Sequence, residues 1–123
     1  MTYKITLPIP HKSLSPNHTV GSLGQRMQKA NTIKKYRWLA RLLAMEQLGT
    51  ARPQWKTAQV QVTWFSKTAR LIDRDNILGY LKSAFDGLTD AGLLADDRDI
   101  THLPPVREKD AALPRVEITI TSI

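Results

Sequence analysis

The chain has no cysteine, which excludes disulfides, thiol nucleophiles and thiolate zinc sites. Histidine is scarce: His11, His18 and His102 lack metal-ligand spacing and read as loop residues. No apolar run approaches the ~18 residues needed to cross a bilayer, and the amino terminus lacks the apolar core of a secretory signal. A cytoplasmic location without a membrane partner is therefore expected. No glycine-rich phosphate loop and no nucleophile triad is present, and no small-molecule cofactor is expected. Acid is missing from one whole region. Residues 1–45 contain Lys4, Lys12, Arg26, Lys29, Lys34, Lys35, Arg37 and Arg41, and neither aspartate nor glutamate.

What is present fits one globular domain spanning 1–123, with 41% hydrophobic residues and enough chain to bury a core. The formal net charge of +7 points to a polyanionic partner, with a basic surface kept for solubility as the plain alternative. Basic charge leads the chain, and the acid is concentrated later.

Residues 3–9 alternate Tyr3, Ile5, Leu7 and Ile9 with polar positions, the period of a half-buried strand, and Pro8 and Pro10 confine it to an edge or end it. His11 to His18 reads as a loop, and Gly21 and Gly24 keep the chain irregular until a helix begins near Arg26. That helix runs to Gln47, with Ile33, Tyr36, Leu39, Ala40, Leu42 and Leu43 on its apolar arc. Arg26, Lys29, Lys34, Arg37 and Arg41 gather on another side, with no acid interleaved before Glu46. Such unpaired like charges suit phosphate tracking as well as they suit a solvated face. Gly49 and Pro53 stop the helix.

Strands follow at 58–65 and 115–123, and 100–114 reads as a strand or extended arm followed by a turn. The fold class expected is α+β: a small, largely antiparallel or mixed sheet with two main helices on one face. The segment between the 58–65 strand and the acidic region carries Lys67 and Arg70, further candidates for DNA contact.

Seven of the eleven carboxylates fall between Asp73 and Asp99. Asp75 to Ala91 has helical periodicity, with Gly92 as its stop. Asp75, Gly79, Lys82 and Asp86 share one stripe if this helix is continuous. Gly79 costs roughly 1 kcal/mol against alanine; room for a metal or phosphate and close backbone packing are both adequate reasons for it. Asp73 and Asp75 suit a helix N-terminus, but the second doublet, Asp96-Asp97, exceeds what capping needs. Carboxylates gathered without cysteine suit Mg²⁺ or Mn²⁺. Lys82 would neutralise charge on a phosphate or leaving oxygen, or simply pair with Asp86.

Length limits the arrangement. A straight helix from Asp75 to Gly92 spans roughly 25 Å, and Gly92 to Asp97 covers at most roughly 17 Å. Asp97 meets Asp75 only by doubling back nearly straight along the helix, which Leu93 and Leu94 would support, or else from a second subunit.

Asp73-x-Asp75-Asn76, Lys82-x-x-x-Asp86-Gly87-Leu88, Ala91-Gly92 and Asp96-Asp97 resemble the signature of RusA-type Holliday-junction resolvases, endodeoxyribonucleases common in prophages and phages. The Leu14-Ser15-Pro16-Asn17 loop, the basic helix and the closing Val116–Ile120 strand are also similar to that family. The resemblance implies a homodimer that cuts branched DNA, the Holliday junction, by paired nicks with Mg²⁺ or Mn²⁺. It implies Asp73, Asp75 and Asp97 as catalytic carboxylates, with Asp96 beside them at the metal and Lys82 as the assisting cation. One departure is present: in the compact form of the motif the lysine stands three residues after the asparagine, where this chain has Gly79, and Lys82 stands six after. A DNA-binding module without chemistry and a nuclease acting on flaps, forks or RNA are the competing readings.

Overall fold

The structure, a computed structural model, describes residues 1–69, 72–96 and 98–123. Arg70 and Asp97, both candidate site residues, lie outside the described residues. In chain order the elements are β1 (Thr2–Leu7), α1 (Leu23–Leu48), β2 (Ala58–Ser66), α2 (Arg74–Tyr80), α3 (Lys82–Asp90), β3 (Ile100–His102), β4 (Val106–Lys109) and β5 (Arg115–Ser122), with a 3₁₀ turn at Lys12–Leu14.

Alternation sets the sheet. Ile5 and Leu7 of β1, Ala58, Val60, Val62 and Trp64 of β2, and Val116, Ile118 and Ile120 of β5 are buried, while their neighbours along each strand are not. β5 lies between β1 and β2, antiparallel to both, and β3 and β4 pair parallel to the far edge of β2. The sheet is therefore mixed, and the fold is α+β as expected. The arm at 100–114 is two short strands on one edge. Ile100–His102 faces Ala58–Val60, Val106–Lys109 faces Thr63–Ser66, and Pro104 and Pro105 fall between. Proline has no N–H to give the ladder, so the pairing stops and resumes.

Helix α1 starts earlier than the residue pattern suggested. Ser22 caps it by accepting from the Gln25 amide, and the Gln25 side chain returns to the Ser22 amide, a capping box that draws Gly24 into the first turn. Its buried line is Tyr36, Ala40, Ala44 and Leu48. Leu42, expected in the core, is 40% exposed on the opposite side. Small residues on the inner line let α1 lie against α3: a Cβ on Gly87 would collide with the Arg37 carbonyl and stand 2.9 Å from the Ala40 Cβ. The tyrosine hydroxyl of Tyr36 donates to the Pro8 carbonyl at 2.8 Å, and burial pushes its pKa above the usual range.

The acidic helix is two helices rather than one. It breaks at Leu81 (φ −101°, ψ 6°), whose amide reaches back to the Leu78 carbonyl in a 3₁₀ step before α3 resumes. Leu81 is fully buried, so the break is fastened into the core. α3 ends in a Schellman motif at Gly92 (φ 85°), with the Gly92 amide bonded to the Thr89 carbonyl and the Leu93 amide to the Leu88 carbonyl. Leu93 and Leu94 are then buried in an extended stretch bonded to Gln54 and Trp55.

Candidate active site

Asp73 is the N-cap of α2. Its carboxylate accepts from the Asp75 amide at 3.1 Å and its carbonyl from the Asn76 amide. Aspartate is favoured here because it satisfies an amide that the first turn leaves free. Asp75 stands in that first turn, and both carboxylates are exposed. Capping by Asp73 therefore fixes two acidic side chains two positions apart at the positive end of a helix.

Two contacts hold this turn in place. The Pro16 ring lies against α2 at Gly79, and Asn17 Nδ2 donates to Asn76 Oδ1 at 3.4 Å. Thus the Leu14–Asn17 loop and the acidic motif form one unit. Gly79 is there for close packing, and its neighbour is a proline ring rather than backbone. From the other side, Arg107 of β4 donates to the Ile72 carbonyl at 3.1 Å, immediately before Asp73. Sequence reasoning passed over Arg107, and no local signal marks it, since its acceptor is a backbone oxygen distant in the chain.

The remaining acid sorts by partner. Asp90 is held by Arg37 at 2.6 Å, Asp96 by Arg98 at 2.9 Å, Asp110 by Arg115 at 2.8 Å, and Glu117 by Lys4 at 2.8 Å. Among the described residues, Asp73, Asp75 and Asp86 are in no ion pair, nor are Glu46, Asp99 and Glu108, and Lys82 does not bridge to Asp86. Lys82 opens α3 and is exposed. It lies between a cleft of about 330 Å³ shared with Leu14, Lys29, Gly79 and Asp86 and a second one shared with Leu78, Phe85 and His102. His102 is in β3 rather than a loop, its ring stacked edge-on to Phe85 with centroids 5.1 Å apart.

Asp96 lies elsewhere. α3 runs from the Tyr80–Trp64 contact, near the end of β2, to the Gly92 turn beside Gln54. Asp96 shares a cleft with Arg37, Asp86, Thr89 and Asp90, and Ile100 opens β3 opposite Ala58. Ala58 and Trp64 are six residues apart on β2, roughly 20 Å. Asp96 and Arg98, on either side of Asp97, therefore lie toward the opposite end of β2 from Asp73 and Asp75. Leu93 and Leu94 run extended beside Trp55, and Ile100 has advanced only as far as Ala58. No group of three or more His, Asp or Glu side chains that could hold a metal ion gathers among the described residues.

The basic stripe is on α1 as expected, but its members are engaged differently. Arg26, Lys34 and Arg41 are on the helix surface, and Lys67 is exposed beyond β2. Lys29 donates to the His18 carbonyl at 3.1 Å. Arg37 is gripped through two nitrogens by Asp90, which raises its pKa and holds the Asp90 carboxyl below its ordinary value. The partner missing from the stripe's own helix comes from α3, a contact no i,i+4 rule could supply.

The "Endodeoxyribonuclease RusA" family matches residues 8–121. The chain belongs to the RusA endodeoxyribonuclease family. The match takes in the capped acidic turn, the Pro16–Asn17 loop bound to it, α1 and β5, so the RusA-family region includes every element described around the site. An uncharacterized protein of Xylella fastidiosa (strain Temecula1 / ATCC 700964) is 31% identical over 121 residues, 97% of this chain and 76% of that protein. No helix among the described residues is long and apolar enough to cross a membrane.

Proposed function

We propose that this RusA-family endonuclease is metal-dependent and resolves four-way DNA junctions by paired nicks, acting as a homodimer. The observation that carries the reading is the Asp73–Asp75 turn: two exposed carboxylates, set by capping and buttressed from both sides, that no cation among the described residues neutralises. Two carboxylates two positions apart in one capped turn are suited to an external cation.

The donor set fits Mg²⁺ or Mn²⁺. Both are hard ions that take oxygen, and Mg²⁺ is ordinarily held by one or two carboxylates with water and substrate phosphate. Asp73 and Asp75 would hold it, with Asp97 as the third carboxylate by motif position. Bound there, the ion supplies a water of lowered pKa and polarisation of the scissile phosphate. The chain's own part is positional. Asp73 holds the first turn of α2, Arg107 and Asn17 restrain it, and Lys82 offers a positive charge to the departing oxygen. Arg26, Lys34, Arg41 and Lys67 attract the phosphate backbone. Two such centres related by a two-fold axis suit a substrate that is itself cut symmetrically.

The experiment is cleavage of a synthetic four-way junction, a flap and a linear duplex, with and without Mg²⁺ or Mn²⁺. Selective, metal-dependent cutting of the junction is expected, and Asp75→Asn is expected to abolish it while binding is kept. Full cleavage by Asp75→Asn removes the assigned centre.

A further inference from the structure

Two clefts meet at Lys29. One, of about 470 Å³, lies between the 11–20 loop and the first half of α1, where His11, His18, Lys29 and Lys35 line it together with neutral side chains and no acid. The other, of about 330 Å³, lies between α1 and the break from α2 to α3, and Leu14, Ile33 and Tyr80 form its apolar walls. Asp86 is the one carboxylate on this second cleft. Among the described residues, Lys29, Lys82 and Asp86 all border it without forming an ion pair. Charges of both signs on one small cleft, none spent on another, are set for a ligand that carries both kinds of partner.

Each cleft also borders a polar atom in want of a partner. Among the described residues three buried side-chain polar atoms have none, and two of them, His18 Nδ1 and Ser83 Oγ, belong to residues lining the first and the second cleft. Ser83 is only 7% exposed, and native structures rarely leave so deep a hydroxyl unpaired. His11 Nδ1 accepts from the Ser13 amide at 3.1 Å, which places the ring proton on Nε2 as a donor. Lys29 is fixed at the seam by the His18 carbonyl, 3.1 Å away, and has two further N–H donors. The two clefts thus divide as a nucleotide does: acid-free donors for a phosphate, and beside them an apolar slot with an acceptor at its edge for a base.

Resting on the DNA-cleaving reading of the preceding section, we infer that the two clefts seat one unpaired nucleotide of the strand being cut. Its phosphate lies with His11, Lys29 and Lys35, and its base stands between Leu14, Ile33 and Tyr80. Extrahelical bases are held in this manner, between apolar side chains and with hydrogen bonds to the edge that pairing leaves open. Asp86 reads that edge. A carboxylate accepts and cannot donate, so it favours an exocyclic amino group, which cytosine, adenine and guanine have and thymine lacks. Ser83, three residues before Asp86 and so on the same side of α3, offers a hydroxyl that donates or accepts. Gly79 borders the slot and stands one turn from Asp75 on α2, roughly 6 Å along the axis. The seated nucleotide is then one or two steps from the bond that is cut, and the cutting position is tied to the identity of a base.

The first measurement needs no cleavage. Deoxycytidine monophosphate titrated into the isotope-labelled full chain is expected to shift the backbone amides of Thr32, Gly79 and Ser83 and to bind more tightly than deoxycytidine. Lys35→Ala should abolish that advantage of the nucleotide over the nucleoside. Thymidine monophosphate should bind about tenfold more weakly than deoxycytidine monophosphate, and Asp86→Ala should bring the two within about twofold. The second measurement varies the base at each position flanking the branch point of a synthetic four-way junction. The wild type is expected to cut about tenfold more slowly with thymine at one of these positions, and Asp86→Ala to cut all four versions alike. Absence of nucleotide binding, shifts confined to other parts of the chain, equal affinity for nucleotide and nucleoside, or a thymine penalty that survives Asp86→Ala overturns the site. A wild type that binds the nucleotide as described yet cuts no junction supports the site while the nuclease reading falls.

Discussion

Pro16 and Gly79 are in contact, and a Cβ added to Gly79 would stand 2.8 Å from the Pro16 Cγ. Through this contact a loop far upstream in the chain presses on the helix that begins with Asp73 and Asp75, and the Asn17–Asn76 hydrogen bond reinforces it. The position is exposed, so water access alone would permit alanine there. The ring does not.

Gly79→Ala therefore carries two opposed effects. Alanine gains up to about 1 kcal/mol of helix propensity, and overpacking against the ring costs about 1–3 kcal/mol. A net loss of about 1 kcal/mol in urea unfolding is expected, with slower cleavage as the Asn17–Asn76 bond is disturbed. In Pro16→Ala with Gly79→Ala the clash is gone, so the propensity gain emerges and the two changes are non-additive. Strict additivity would mean that the ring and the glycine do not communicate.

Arg37 and Arg41 are one helical turn apart on α1 yet have different tasks. Arg41 is exposed without an ion pair among the described residues, whereas Arg37 is committed to Asp90. Arg41→Ala is expected to flatten the log–log salt dependence of junction affinity by about 0.9 for every phosphate it ceases to neutralise. Arg37→Ala should leave that slope unchanged and lower stability instead. An equal flattening in both variants would return Arg37 to the DNA surface.

The Arg37–Asp90 pair also titrates. Hydrogen bonding to Arg37 lowers the Asp90 pKa, so the folded state binds this proton more weakly than the unfolded chain. Its stabilisation is thus complete above the ordinary aspartate value and is lost as pH falls from there through the lowered folded-state value. Both side chains are a third or more exposed, and screening keeps the effect to about 0.2–1 kcal/mol. Asp90→Asn should be less stable than the wild type at neutral pH, and the gap should narrow as pH falls below the ordinary aspartate range. A gap that widens on acidification contradicts this sign.

Much of the framework is readable from residue order alone. The alternation of Val60, Val62 and Trp64, and of Val116, Ile118 and Ile120, marks buried strand faces because strand side chains repeat every two residues. Gly92 announces the end of α3 because few other residues tolerate a positive φ. The break at Leu81 is hidden, since Ile77, Leu81, Ala84 and Leu88 keep helical spacing whether or not the backbone bends. Leu42 is misplaced by its pattern because a helix apolar on two sides offers two arcs, and periodicity does not say which one faces inward. The Arg37–Asp90 pair, the Arg107–Ile72 bond and the Pro16–Gly79 packing are tertiary, and no local pattern encodes them. In the candidate site, the Asp73 cap is legible, while the separation of Asp96 from it depends on how the sheet registers.

That separation distinguishes the two members of the doublet. Asp96 spends its carboxylate on Arg98: one oxygen accepts from the Arg98 amide at 3.1 Å and the other from its Nε at 2.9 Å. Both bonds tie Asp96 to Arg98 at the Ala58 end of the sheet. Asp96→Asn keeps the amide acceptor and forfeits the Arg98 ion pair, so cleavage within about threefold of wild type and a stability loss of at most about 1 kcal/mol are expected. Asp97→Asn, if that residue is the third ligand, should lower junction cleavage at saturating DNA by about a hundredfold or more, the scale of removing one preorganised electrostatic group. Raising Mn²⁺ should restore part of the Asp97→Asn activity, because a weakened site refills by mass action. The reverse pattern, an inactive Asp96→Asn beside an active Asp97→Asn, would move the third carboxylate to Asp96 and require the Asp96–Arg98 bonds to open before metal binds.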